Sequence, residues 1–112
     1  MEFDFKPVEK NTPLGFTKLK KWMLVKGFTF DYVPDEVSFN LFNPRDLDDF
    51  FDQQGIKGFI DWSIMNDAFC FYIIPNHNHR NNRLFPSRTE ALTALYLKCF
   101  DILEARLEAE GI

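Results

Sequence analysis

Phe59-Ile60-Asp61-Trp62-Ser63-Ile64-Met65-Asn66-Asp67-Ala68-Phe69-Cys70-Phe71-Tyr72-Ile73-Ile74 is the stretch that decides the fold. Its two arms, Phe59–Met65 and Ala68–Ile74, are rich in aromatic and β-branched residues and read as strands. Asn66-Asp67 between them tolerates positive φ and suits a tight turn. A turn there sets Trp62 opposite Phe71, Ile60 opposite Ile73 and Ile64 opposite Phe69, so one face of the hairpin is wholly apolar. The other face, with Phe59, Asp61, Ser63, Cys70, Tyr72 and Ile74, is mixed. A face as apolar as the first must be covered by another layer.

The cover lies downstream. Ser87-Arg88-Thr89-Glu90 has the form of a capping box, Ser at the cap and Glu three residues later. The helix it opens runs to about Ala109. Leu92, Leu95, Tyr96, Cys99, Phe100, Leu103 and Leu107 make its buried stripe, and Gly111 follows as a stop. Residues 75–86, with four Asn, read as a long loop between hairpin and helix.

Upstream, Phe28–Tyr32 and Val37–Leu41 alternate apolar and polar residues around Val33-Pro34-Asp35-Glu36. The register that keeps all apolar residues on one face pairs Tyr32 with Val37, Phe30 with Phe39 and Phe28 with Leu41. Leu14–Lys26 reads as a helix with Leu19, Trp22 and Met23 on one face and Gly27 as its stop. Asn43-Pro44 opens a second, short helix with Leu47, Phe50 and Phe51 as its apolar stripe and Gly55 as its end. Asp46, Asp48 and Asp49 sit where the helix dipole favours anions. Residues 1–13, with Pro7 and Pro13, read as an irregular arm. The expectation is a single α+β domain over residues 1–112 in the order α-β-β-α-β-β-α. Its two hairpins form one four-stranded antiparallel sheet, and the long C-terminal helix packs on it.

The run from Phe85 to Leu107, Phe-Pro-Ser-Arg-Thr-Glu-Ala-Leu-Thr-Ala-Leu-Tyr-Leu-Lys-Cys-Phe-Asp-Ile-Leu-Glu-Ala-Arg-Leu, resembles the ending of small uncharacterised bacteriophage and mobile-element proteins. In those a β-hairpin leads into a Ser-Arg-x-Glu-Ala helix opening. The resemblance covers about a fifth of the chain, implies no activity and transfers no functional residue.

Composition narrows the classes further. The 112 residues are 46% hydrophobic and 27% charged, as in a globular chain, and include 14 Phe, whose rings belong in a core. The net charge of −4 argues against non-specific nucleic-acid binding, although residues 1–30 carry a net +3 and residues 31–62 a net −6. The first six residues lack the basic start and apolar run of a secretory leader, and no stretch approaches the length of a membrane span. Cys70 and Cys99 fall in apolar patterns and are expected as reduced core thiols in a cytoplasmic protein.

Candidate chemistry is sparse. His77 and His79 are two imidazoles with no third histidine in the chain, which is too few for a stable metal site, so neither metal nor other cofactor is expected. Asp46, Asp48, Asp49 and Asp52 read as a solvated acidic helix face. No nucleophile–base pattern or glycine-rich phosphate loop is present, and an enzyme is not expected. The basic segment His77, His79, Arg80, Arg83 and Arg88 is the candidate binding site for acidic or phosphate groups. The leading expectation is a non-enzymatic protein-interaction module. The alternative is a nucleic-acid-associated protein that uses the 77–88 segment and the Lys18–Lys26 helix.

Overall fold

The computed structural model describes residues 3–27, 30–33, 36–39, 45–63, 65–74 and 79–111, with 30–33, 36–39, 45 and 79–83 described by their backbone. The expectations for Phe28, Leu41, Asn43-Pro44, Ile64 and His77 lie outside these residues.

The chain is α+β. Its order is α1 (Lys6–Asn11), α2 (Pro13–Val25), β1 (Phe30–Val33), β2 (Glu36–Phe39), α3 (Arg45–Gln53), β3 (Lys57–Ser63), β4 (Ala68–Ile74), β5 (His79–Phe85) and α4 (Arg88–Ala109). The expected four-stranded sheet is corrected to a three-stranded antiparallel sheet, β3-β4-β5, and a separate two-stranded hairpin, β1-β2. Within the small hairpin the register is as the alternation requires, Phe30 opposite Phe39 and Tyr32 opposite Val37.

Two segments read as irregular are regular. Inside the expected 75–86 loop lies β5, whose Arg80 pairs with Tyr72 and whose Asn81 pairs with Phe71. Polar residues can occupy an edge strand because one of its backbone edges and one of its faces can remain in water. The expected arm at residues 1–13 is mostly helical, because each proline stands in the first turn of its own helix, where a missing N–H costs nothing. Phe3, Phe5 and Val8 are buried there.

The β3–β4 register also differs from expectation. Ile60 faces Phe71 and Trp62 faces Phe69, a slip of two residues, so the connection spans residues 64–67 and not Asn66-Asp67 alone. Asp67 takes the one positive φ among described non-glycine residues, 49°. A slip of two preserves side-chain parity, so the apolar face keeps its content. Phe71 and Ile73 are buried under α4, but Trp62, expected in the core, stays 43% exposed. Strand and helix approach closely at Gly58, where a Cβ would lie 2.6 Å from Leu95 Cδ1.

Helix α4 holds α2 and α3 through its C-terminal half. The Glu104 carboxylate, buried, accepts from the backbone N–H of Gly15 at 2.8 Å and of Leu14 at 3.3 Å. These are the first N–H groups that α2 has to offer after Pro13, and the Thr12 side chain is turned away to the carbonyl of Val8. A carboxylate from another helix thus does the work of a local cap, at the positive end of the α2 dipole. Two residues on, Arg106 donates to the Gln54 carbonyl at 2.6 Å, at the C-terminal end of α3. Around these contacts the rings of Phe50, Phe51 and Phe100 pack edge-on or tilted, with centroids 4.9–6.4 Å apart.

Candidate functional site

The structure divides the five expected binding residues. His79, Arg80 and Arg83 belong to strand β5, and Arg88 is the first residue of α4. Ser87 caps α4, its hydroxyl accepting from the N–H of Glu90 at 3.2 Å, so the chain turns sharply from sheet to helix. That turn carries the Arg88 guanidinium over the ring of Phe69, 5.6 Å from its centroid. Phe69 in turn makes an edge contact with Trp62, centroid to centroid 4.7 Å.

The result is a row of three side chains, Trp62, Phe69 and Arg88, at the hairpin end of the sheet. Met65 in the connection is 95% exposed, and Leu84 is half-exposed in β5 beside the Phe85 that pairs with Phe69. Arg88 was legible as a binding candidate from its charge. Trp62 and Met65 were not, because hydrophobicity alone assigns them to the core.

A second feature is a cleft of about 300 Å³ between α3, β3 and α4, bordered by Asp48, Asp52, Lys57, Tyr96 and Cys99. Asp48, expected as one of several solvated acids, accepts a hydrogen bond from the Tyr96 hydroxyl at 3.1 Å. Burial, and then the nearby Asp48 carboxylate, push the Cys99 thiol up to about 12. The Tyr96 phenol is raised too, by burial first and then by Asp48. Near neutral pH both groups keep their protons, which leaves Cys99 without the thiolate a nucleophile needs. Cys70 and Cys99 are buried and free, as expected.

The lysines of α2 lie elsewhere. Trp22 Nε1 donates to Gln53 Oε1 at 3.0 Å, which sets α2 beside the acidic α3, and Lys26 lies over the Trp22 ring at 5.7 Å. Among the described residues no group of three or more His, Cys, Asp and Glu could hold a metal ion, and no helix is long and apolar enough to cross a membrane. No family model, curated protein or solved structure matches the chain.

Proposed function

We propose that this protein is a non-enzymatic interaction module that holds another protein at the hairpin end of its three-stranded sheet. The observation that carries this reading is the exposure of Trp62, at 43%, in contact with Phe69 and with Arg88 close by. Trp, Arg and Met are enriched at protein–protein interfaces, and Trp and Arg at their hot spots; Met65, three residues after Trp62, is 95% exposed. Arg88 sets a cation beside these rings, so a partner with an apolar anchor and an acidic group suits the surface.

The test compares affinity capture from lysate of the source cells by the wild-type chain and by the Trp62→Ala/Arg88→Ala variant, with and without nuclease. The expected result is a protein captured by the wild type in both arms and lost by the variant while its circular dichroism is unchanged. Capture retained by the variant would move the binding surface elsewhere. Capture abolished by nuclease would favour the nucleic-acid reading.

A further inference from the structure

Strand β3 is the edge of the three-stranded sheet, with β4 as its only neighbouring strand among the described residues. Its sequence, Lys57-Gly58-Phe59-Ile60-Asp61-Trp62-Ser63, contains no proline to interrupt further pairing. The side chains of Lys57, Phe59, Asp61 and Ser63 share one face of the strand, opposite to that of Gly58, Ile60 and Trp62. Lys57 and Asp61 are exposed, and Phe59 is 51% exposed. The direction of the open backbone groups follows from one hydrogen bond. The Trp62 N–H is taken by the Asp61 carboxylate of its own strand at 2.9 Å, so it points away from the ladder with β4. Because strand N–H groups alternate sides, those of Ile60 and Gly58 point away too, toward the open edge.

We infer that β3 pairs with β3 of a second copy of this chain, antiparallel about a two-fold axis through Phe59. In this register Phe59 faces its own counterpart as a non-hydrogen-bonded pair, where side chains approach most closely. Gly58 and Ile60 of one chain then exchange backbone hydrogen bonds with Ile60 and Gly58 of the other, which are the residues whose N–H groups face outward. Lys57 comes opposite the second copy's Asp61, twice by symmetry. The neighbouring registers lack this match. Centring the pair on Ile60 sets Phe59 against Asp61 and Lys57 against Ser63. Centring it on Asp61 sets two carboxylates face to face. Asp61 already accepts from the Tyr72 hydroxyl at 3.2 Å, which orients it, and a carboxylate retains capacity for a lysine. The product is one continuous six-stranded sheet that closes both β3 edges and covers Phe59. It uses the backbone edge of β3 and the side chains of Lys57, Phe59 and Asp61, not the Trp62 and Arg88 side chains, and does not rest on that reading.

Sedimentation of the purified chain over a range of concentrations tests the inference. Wild type should show a monomer–dimer equilibrium. Lys57→Glu, at an exposed side chain, should weaken it roughly ten- to thirty-fold, since symmetry makes each change count twice. Asp61→Lys should weaken it similarly. An equimolar mixture of the two variants should recover a one-to-one heterodimer. In that mixture the two substituted side chains face each other as an opposite-charge pair, and the native Asp61 of one variant faces the native Lys57 of the other. Arg88→Ala should leave self-association unchanged. A wild type that is monomeric at every concentration, or a Lys57→Glu chain that associates as tightly as wild type, would overturn the inference. So would a folded mixture that fails to recover the dimer. If Asp61→Lys does not fold, Lys57→Glu and Lys57→Gln decide alone, with the glutamine variant expected between wild type and glutamate.

Discussion

The C-terminal half of α4 leaves its surroundings satisfied, whereas its N-terminal end sits beside large side chains that are open to solvent. Between Cys99 and Leu107 the side chains of Cys99, Phe100, Leu103 and Leu107 are buried, Glu104 closes the start of α2, and Arg106 closes the end of α3. No buried side-chain nitrogen or oxygen among the described residues lacks a hydrogen-bond partner. Around Arg88, by contrast, Trp62 and Met65 are exposed over the end of the sheet. One helix thus serves two purposes along its length. A region that must hold three helices together uses every polar group it buries, and a region free of that duty can present aromatic and cationic groups to a partner.

The sharpest test of that contrast is a pair of truncations. Phe100 is fully buried among Phe50 and Phe51, and Phe100→Ala should cost about 3–5 kcal/mol in urea unfolding, by lost burial and the cavity left behind. Trp62→Ala removes a larger side chain but only a half-exposed one, and should cost less than about 1.5 kcal/mol, mainly its contact with Phe69. Equal losses would erase the distinction between the two regions.

Glu104→Ala comes next, at about 2–3 kcal/mol, because the N–H groups of Leu14 and Gly15 lose a charged acceptor in a site water does not reach. Urea midpoints for this variant within error of wild type would show that α2 needs no cap from α4.

Alkaline titration probes the same layer. Folded Cys99 holds its proton to about 12, while the unfolded thiol, with its ordinary value of 9.0, releases it earlier. The stability this contributes is complete below about pH 9 and is lost as pH rises toward 12, by up to about 1.4 kcal/mol per pH unit. Tyr96, also raised, acts in the same direction at higher pH. Cys99→Ala should flatten this dependence, and an unchanged slope would contradict the assignment.

The smallest expected effect has the opposite sign. A Cβ at Gly15 would meet Glu104 Oε1, Leu103 Cδ2 and Phe100 Cδ1 at 3.5 Å each, ordinary contact distances. Gly15→Ala should therefore leave the cap intact and stabilise α2 by about 0.5–1 kcal/mol. A loss of stability would mean that α2 and α4 are packed more tightly than these distances indicate.

Much of this was legible in the sequence where one signal dominates. The α4 stripe from Leu95 to Leu107, the Ser87 cap, the acidic start of α3 and both hairpins follow from periodicity and capping chemistry. Parity also placed Ile60, Phe71 and Ile73 on the covered face, even though the register was two residues off. What was not legible depends on distant residues. Strand β5 opens with His, Arg and Asn, which favour a loop until an adjacent strand supplies backbone partners. Glu104 did carry a signal, an acid one turn after Phe100 and between Leu103 and Leu107 on the buried stripe. Its meaning needed α2 to arrive beside it. The Trp62–Phe69–Arg88 row arises only when the turn at Ser87 brings helix and hairpin end together, which no local pattern encodes.

Native-state hydrogen exchange at the Leu14 and Gly15 amides tests most directly whether α4 closes the helical layer through Glu104. First-turn amides of a helix have no partner within it and ordinarily exchange fast. These two amides should exchange slowly, at rates near those of buried amides in the centre of α4. Glu104→Ala should restore fast exchange at both while the centre of α4 stays protected under native conditions. Fast exchange at Leu14 and Gly15 in the wild-type chain would contradict it.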